Sequence, residues 1–318
     1  MVVLPEVVLP TITSIFKKYE DTVSDWRRNH LGASIVGKLC ERSLWYNFRW
    51  CLKPTYSGRI LRLFETGNQQ ESRIIQNLRD IGIEVYDRDP ETGYQIKCES
   101  FGGHYSGSLD GVGLGFEEAS KSWHVIELKT MNTRTFNALK KNGVEKTKPE
   151  HYFQMQQYMA WSKLERAYYI VWCKESDDLY GERIYFDKDV VKRLQSKAER
   201  VIFSNVPQYK VSDNPEYLEC RFCDYKLLCH SKMLPEVNCR TCARSTPERN
   251  GTWTCSRDGS ILCSAKQRDC LDCHVFIPAL VPLEQTDASE KDGTIMYGNV
   301  VNGKENILSK DLWKCIDV

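Results

Sequence analysis

The sequence predicts a mixed α/β fold followed by a small cysteine-rich region. Helical periodicity dominates the first 81 residues, and short runs with the alternation of β-strands follow up to residue 130. Helical and strand patterns then alternate as far as residue 203, an order typical of helices packed on a mixed sheet. Nine of the fourteen cysteines fall between Cys220 and Cys273, so the chain changes character there.

The individual elements follow from residue spacing and from the residues that begin or end them. Ser34 is a candidate helix N-cap, and Gly82 ends a helix with regularly spaced apolar residues. Pro207 and Pro215 interrupt the pattern and mark a boundary between 204 and 219. The predicted helices cover 11–29, 34–45, 59–81, 133–141, 150–163 and 187–203, and the predicted strands cover 83–87, 94–101, 104–112, 122–130, 166–173 and 181–186.

Composition limits the classes of protein that fit. The 44 basic and 43 acidic residues nearly cancel, so any contact with nucleic acid must come from a local patch. We expect no membrane span, because no run of about 18 apolar residues occurs. The apolar segment Met1 to Pro10 lacks a basic leader, so we expect no signal peptide and a cytoplasmic location. Without an export signal, paired cysteines indicate metal ligands rather than disulfides.

A candidate catalytic group lies in the predicted strands. Asp110 ends one strand, and Glu127-x-Lys129 lies in the next. Side chains two apart on a strand point to the same face, so Glu127 and Lys129 share a pocket that Asp110 can join. Two carboxylates and an ammonium suit Mg²⁺ or Mn²⁺ and indicate phosphodiester hydrolysis. Taken alone, a Glu–Lys pair on a strand is more often a solvated surface pair.

Further residues make the arrangement resemble the PD-(D/E)xK nuclease superfamily. Glu71 lies on an upstream helix, and Gln154 and Tyr158 share a helix face in Gln-x3-Tyr spacing, which resembles the RecB-type and lambda-exonuclease-type branches. The resemblance covers about 30–230 and implies a restriction-endonuclease-like core. It implies that Glu71, Asp110 and Glu127 bind the metal, with Lys129, Gln154 and Tyr158 completing the catalytic set. The sequence departs from the pattern at Leu109, which replaces the proline, and Glu65 competes with Glu71 for the helical acid.

The resemblance implies a metal-dependent DNA nuclease, specifically an exonuclease of phage recombination or repair. A structure-specific or CRISPR-adaptation-like endonuclease is one alternative, and a non-catalytic DNA-binding module with structural metals is another. The implied partners are DNA and a phage single-strand annealing protein, and the implied location is the cytoplasm of a bacterial host. A local basic excess follows the Glu-x-Lys strand and is either a DNA contact or a solvated helix face; it consists of Arg134, Lys140, Lys141, Lys146 and Lys148.

The first cysteine group is Cys220-x2-Cys223-x5-Cys229. It resembles the iron-sulfur nucleases of the RecB type and of CRISPR adaptation, in which a distant N-terminal cysteine completes a [4Fe–4S] cluster. Cys40, in a Cys-Glu-Arg context, is the implied fourth ligand, and Cys51 is the alternative. Four thiolates also suit zinc, so the sequence leaves the metal open.

A second group contains Cys239-x2-Cys242, Cys255, Cys270 and His274, a spacing that predicts a zinc-ribbon-like site. The fourth ligand is Cys270 or His274, with Cys273 as a substitute. This segment resembles the C-terminal part of uncharacterised phage-encoded PD-(D/E)xK nucleases. It is short of long apolar runs, so we expect it to need metal to stay folded. The expected domains are a nuclease domain at 1–235 and a zinc-ribbon-like region with a tail at 236–318.

Overall fold

The structure is a computed structural model that describes residues 9–22, 25, 27–231, 233–268, 270 and 274–281, with the backbone of four short strands beyond. The helices are α1 (Pro10–Asp21), α2 (Ala33–Val36), α3 (Glu41–Phe48), α4 (Gly58–Asp80), α5 (Thr133–Thr147), α6 (Pro149–Ser162), α7 (Lys188–Phe203), α8 (Leu218–Arg221), α9 (Lys226–His230) and α10 (Ser264–Arg268). None of these described helices has the length and apolar character needed to cross a membrane.

The strands form one mixed sheet and several small ones, which confirms the predicted α/β class. They are β1 (Leu31–Gly32), β2 (Glu84–Tyr86), β3 (Lys97–Ser100), β4 (Tyr105–Ser108), β5 (Gly111–Leu114), β6 (His124–Met131), β7 (Arg166–Cys173), β8 (Leu179–Tyr185), β9 (Ser245–Pro247), β10 (Trp253–Cys255), β11 (Ser289–Lys291), β12 (Thr294–Met296), β13 (Asn299–Val301) and β14 (Lys304–Asn306).

The chain forms two compact units, and the first holds the described residues of Met1–Arg27, Lys53–Cys98 and Ser108–Asp187. Its five-stranded sheet has the order β2-β5-β6-β7-β8. β6 and β7 run parallel, and the other neighbouring strands run antiparallel. Parallel neighbours need a long crossover, which α5 and α6 supply here. β6 is therefore a central strand, and most of its residues are buried.

α4 covers one face of this sheet. Ile74, Ile75 and Leu78 recur on one side of the helix and pack with Ile126 and Leu128 in a common core. Because alternate residues of a strand face opposite ways, the intervening Glu127 and Lys129 are directed to the other face. The packing of α4 thus determines which side of β6 carries the charged residues.

The second unit holds the described residues of Arg28–Leu52, Glu99–Gly107 and Lys188–Val318. Trp45, Phe48 and Trp50 are each at most 1% exposed and therefore belong to the core of this unit. The Arg240 guanidinium lies 3.8 Å from the centroid of the Trp50 ring. Trp253, from the cysteine-rich segment, packs on Phe48 with ring centroids 5.4 Å apart. The cysteine-rich segment therefore shares a core with α3.

Two predicted elements are interrupted in the structure. The helix expected at 34–45 ends at Val36 and begins again at Glu41, because Cys40 has extended backbone angles and is the N-cap of α3. The strand expected at 104–112 stops after Ser108 and begins again at Gly111, so that β4 pairs with β1 while β5 pairs with β6. Asp110 thus lies in a strand break rather than within a strand.

Candidate active site

Glu127 and Lys129, two residues apart on β6, form an ion pair. The Glu127 side chain is fully buried, whereas 25% of the Lys129 side chain is exposed. Lys129 also approaches Asp110, with 3.9 Å between Nζ and Oδ2. Lys129 Nζ donates a further hydrogen bond to the Leu128 carbonyl at 3.0 Å. The ammonium is therefore held between two carboxylates.

Asp110 is fixed beside β6 by backbone hydrogen bonds. Its Oδ2 accepts a hydrogen bond from the Leu128 amide at 2.8 Å. The amide of the preceding Leu109 donates to the Ile96 carbonyl at 2.9 Å. An amide of β6 is thus bonded by a side chain at the point where the ladder with β5 ends. This contact explains why the chain leaves strand geometry at Asp110.

Glu71 joins this group from α4. It lines a cleft of about 140 Å³ together with Gly67, Gln70, Ile74, Leu128, Lys129 and Thr130. Burial and repulsion by Asp110 raise the pKa of Glu71 to about 7, although Lys129 acts in the opposite direction. Glu65, the competing acid, is exposed and accepts a hydrogen bond from Tyr19. The structure therefore brings Glu71, and not Glu65, to the other carboxylates.

Gln154 and Tyr158 lie on α6, which packs on β6 and β7. Gln154 Nε2 donates to the Tyr158 hydroxyl at 3.2 Å. Burial and the nearby Glu127 carboxylate raise the pKa of Tyr158, so the phenol stays protonated. Within the described chain, Gln154 Oε1 is buried and accepts no hydrogen bond. The pair therefore presents a neutral polar surface to the carboxylates.

Two residues that the sequence analysis did not select also belong to this region. Tyr169 is opposite Glu127 in the β6–β7 ladder and is fully buried. His151 lies in the first turn of α6, and its Nδ1 is 2.6 Å from the Tyr169 hydroxyl oxygen. A sequence signal for His151 existed, because His151, Gln154 and Tyr158 follow at helical spacing. Nothing local indicated Tyr169, since its place depends on strand register.

The electrostatics of the cluster suit a divalent cation. Burial raises the pKa of Glu127, although the paired Lys129 acts in the opposite direction, and within the described chain its buried Oε2 accepts no hydrogen bond. Burial lowers the pKa of Lys129, but attraction to Glu127 and Asp110 outweighs this and leaves it raised. Three carboxylates around one ammonium are the oxygen ligands that Mg²⁺ and Mn²⁺ prefer. The donor types therefore fit, although in the described chain no three His, Cys, Asp or Glu side chains are already spaced to hold a metal ion.

The five basic residues after β6 differ in their surroundings. Arg134, Lys140, Lys141 and Lys146 are exposed on α5. Lys140 Nζ is 3.8 Å from the exposed carboxylate of Asp178. Lys148 is half-buried at the start of α6 and acts electrostatically on His151. Lys148 is thus the member of this set that the structure connects with the candidate active site.

The four cysteines of the first group, Cys40, Cys220, Cys223 and Cys229, all belong to the second unit. Cys40 acts electrostatically on Cys220, Cys223 and Cys229, and burial is the main reason that the pKa of each of these three thiols is raised. Cys51 is fully buried, and the group that acts on its thiol is Arg49. Among the described residues, however, no three of these thiols are spaced to hold a metal ion, so Cys40 as the fourth ligand stays a prediction.

The second cysteine group is partly assembled. Cys239, Cys242 and Cys270 are buried, and a hydrogen bond with Cys270 is the largest cause of the raised pKa of Cys242. His274 is buried, but its Nε2 lies 3.1 Å from Thr241 Oγ1 rather than with the thiols. Cys255 is half-buried on β10. Cys273 lies outside the described residues.

Comparison with solved structures found similar chains, among them those of two proteins. No protein-family model and no curated protein matches the chain. An alkaline exonuclease, LHK-Exo from Laribacter hongkongensis, is 18% identical, with a TM-score of 0.40 over 58% of this chain and 90% of that chain. The same protein in complex with dAMP gives a TM-score of 0.41 at 18% identity, over 59% and 89% of the two chains. SSO0001 is 14% identical, with a TM-score of 0.39 over 70% and 98%. TM-scores of this size do not establish a shared fold.

Proposed function

We propose that this protein is a metal-dependent DNA nuclease that hydrolyses phosphodiester bonds. The observation that carries the proposal is the fully buried Glu127 carboxylate: its Oε1 is paired with Lys129, which also approaches Asp110, and within the described chain its Oε2 accepts no hydrogen bond. A buried charge of this kind is costly unless a partner or a metal compensates it. Glu71 and Asp110 add two further carboxylates beside it. A divalent cation bound by the three would allow them to act on an anionic phosphodiester.

The roles of the residues follow from their positions. Glu71, Asp110 and Glu127 would hold Mg²⁺ or Mn²⁺, which when bound lowers the pKa of a water and offsets phosphate charge. Lys129, exposed to the cleft at its end, orients the attacking water and stabilises the charge that develops on the phosphate. Gln154 and Tyr158 support these groups from α6 through their hydrogen bond.

An exonuclease of phage recombination or repair is the specific form we favour, because the order of the motifs resembles the RecB-type and lambda-exonuclease-type branches. A structure-specific or CRISPR-adaptation-like endonuclease is the alternative. On this proposal the protein acts in the cytoplasm of a bacterial host, with DNA and a phage single-strand annealing protein as partners. The basic residues Arg134, Lys140, Lys141, Lys146 and Lys148 would contact DNA phosphates.

End-labelled linear DNA and closed circular DNA, each with Mn²⁺, distinguish these functions. An exonuclease degrades only the linear DNA, and an endonuclease also opens the circles. A non-catalytic module with structural metals cleaves neither substrate, and that result would overturn the proposed function. In the same cleavage assay, the Glu71→Gln variant tests the proposed metal ligand on α4. Glu65→Gln is its matched control, because both residues lie on α4 and, of the two, Glu71 lines the cleft.

The cysteines are proposed to bind two structural metal centres. Cys40, Cys220, Cys223 and Cys229 would hold a [4Fe–4S] cluster, and the electrostatic contact of Cys40 with all three supports this set. Zinc is proposed for Cys239, Cys242 and Cys255, with Cys270 or His274 as the fourth ligand and Cys273 as a substitute. The corresponding domains are the nuclease domain at 1–235 and the zinc-ribbon-like region with its tail at 236–318.

A further inference from the structure

His151 and Tyr169 form a hydrogen-bonded pair to which the proposed hydrolysis gives no role. Their bond, 2.6 Å from Nδ1 to the hydroxyl oxygen, joins the first turn of α6 to the centre of β7. Tyr169 is fully buried, whereas His151 is half-buried and therefore reaches solvent. In the described chain neither side chain has another hydrogen-bond partner. Of the two side chains, His151 is therefore the one that a ligand from solvent can reach.

The positions of the hydroxyl proton of Tyr169 and the ring proton of His151 follow from their hydrogen bond. A buried hydroxyl hydrogen without an acceptor is costly, and among the described residues His151 Nδ1 is the acceptor within reach of Tyr169. The hydroxyl therefore donates to Nδ1, which leaves the ring proton on Nε2. Burial, Lys129 and Lys148 all lower the pKa of His151, which agrees with a neutral ring. Nε2–H is then a fixed, uncharged hydrogen-bond donor.

The surroundings of this donor favour an anion. Lys129 and Lys148 both act electrostatically on His151, and the His151 amide donates to the Lys148 carbonyl at 3.0 Å, so Lys148 is its neighbour in the first turn of α6. Lys129 is already paired with Glu127, whereas Lys148 has no ion pair within the described chain. A phosphate group can accept from the neutral Nε2–H and pair with Lys148 at the same time.

We propose that His151, oriented by Tyr169, and Lys148 form a subsite that binds a backbone phosphate of DNA beside the catalytic carboxylates. This inference rests on the proposed nuclease function for its substrate class and deepens it by naming a contact. Tyr169 is a positioning residue, because its buried hydroxyl acts only through His151. Lys148 supplies charge, and His151 supplies a directed donor without charge.

The neutral donor and the charged donor predict different salt dependences. A lysine at a phosphate releases counterions, so Lys148→Gln should weaken binding of duplex DNA and lower the slope of log K against log salt by about 0.9. His151→Ala should weaken binding about tenfold, the loss expected for a hydrogen bond to a charged group, with the slope unchanged. Tyr169→Phe should also weaken DNA binding with the salt slope unchanged. His151→Gln, which keeps a hydrogen-bond donor, should bind DNA more tightly than His151→Ala does.

Binding of a fluorescent oligonucleotide duplex to the full chain tests this in EDTA at several salt concentrations. The matched controls are His124→Gln and Lys121→Gln, which lie at or before the start of β6 and should bind as the unaltered protein does. Thermal unfolding of each variant identifies any loss of folding, and Tyr169→Phe, which removes one oxygen, remains informative if His151→Ala is unstable.

Binding by both His151→Ala and Tyr169→Phe within twofold of the unaltered protein would overturn the subsite. A slope lowered by His151→Ala as much as by Lys148→Gln would also overturn it, because the histidine would then act as a charge. The outcome is separate from that of the proposed function, since no metal or cleavage enters the measurement. A protein that binds DNA through this subsite but never cleaves it would refute only the nuclease.

Discussion

Replacing Glu71 by glutamine should make the metal-free protein more stable at pH 8 and leave its stability unchanged at pH 4. Burial and repulsion by Asp110 raise the pKa of Glu71 from 4.5 to about 7. The folded chain therefore binds more protons than the unfolded chain between these two values. The free energy of unfolding consequently falls as pH rises from about 4.5 to about 7, and the contribution is fully unfavourable above that range. Glutamine removes this titration.

The size of the effect follows from the same shift. A pKa raised from 4.5 to about 7 corresponds to a ceiling of about 3.4 kcal/mol. Glu71 is only half-buried, so solvent screening reduces the expected difference to about 1–2 kcal/mol. Mn²⁺ should reverse the order of stability, because an ion that binds the folded state stabilises the unaltered protein more than a variant with one ligand fewer.

Thermal unfolding in EDTA at pH 4, 6 and 8, repeated with Mn²⁺ at pH 8, measures both effects. Glu65→Gln is the matched control, because Glu65 is exposed on the same helix and is not among the residues that line the cleft. This control should not show the gain in stability at pH 8 that is expected of Glu71→Gln. Equal stabilities of Glu71→Gln and the unaltered protein at pH 8, with or without Mn²⁺, would refute the placement of Glu71 with the other carboxylates.

Three further outcomes are expected. Asp110→Ala should lower cleavage of end-labelled DNA by about 10²–10³-fold, and undiminished cleavage would remove Asp110 from the site. Changing Lys140 and Lys141 to glutamate should weaken DNA binding and flatten its salt dependence, whereas an unchanged salt slope would identify a solvated helix face. Cys40→Ser should lose the iron and brown colour of anaerobically purified protein while Cys51→Ser keeps both, and colourless unaltered protein with zinc but no iron would reject the cluster.

The parts of the site that the sequence predicts are those set by local periodicity. Glu127 and Lys129 share a face because they are two apart on a strand, and Gln154 and Tyr158 because they are four apart on a helix. The choice between Glu71 and Glu65 could not be made this way, since both lie on α4 and only packing brings one of them to the cleft.

Contacts between distant segments account for what the sequence did not predict. Asp110 leaves strand geometry because its carboxylate bonds the Leu128 amide, a contact that hydrophobic alternation does not encode. Tyr169 belongs with Glu127 through the register of two parallel strands, whose sequence positions are far apart. His151 was recognisable by its helical spacing, but the orientation and proton position of its ring depend on the Tyr169 hydroxyl. Strand register thus determines the chemistry around Glu127.

The cysteine-rich segment shows why local composition underestimates a core. Few apolar residues lie between 236 and 278, which predicted a segment held together by metal alone. Trp253 instead packs on Phe48 from α3, and Arg240 donates to the carbonyls of Phe48 and Asn29, each at 2.9 Å. A buried guanidinium is tolerated only when its donors are satisfied, so these bonds require α3 to be folded in place. The stability of the segment therefore depends on residues nearly two hundred positions upstream, and metal removal should loosen the segment without releasing Trp253 from that core.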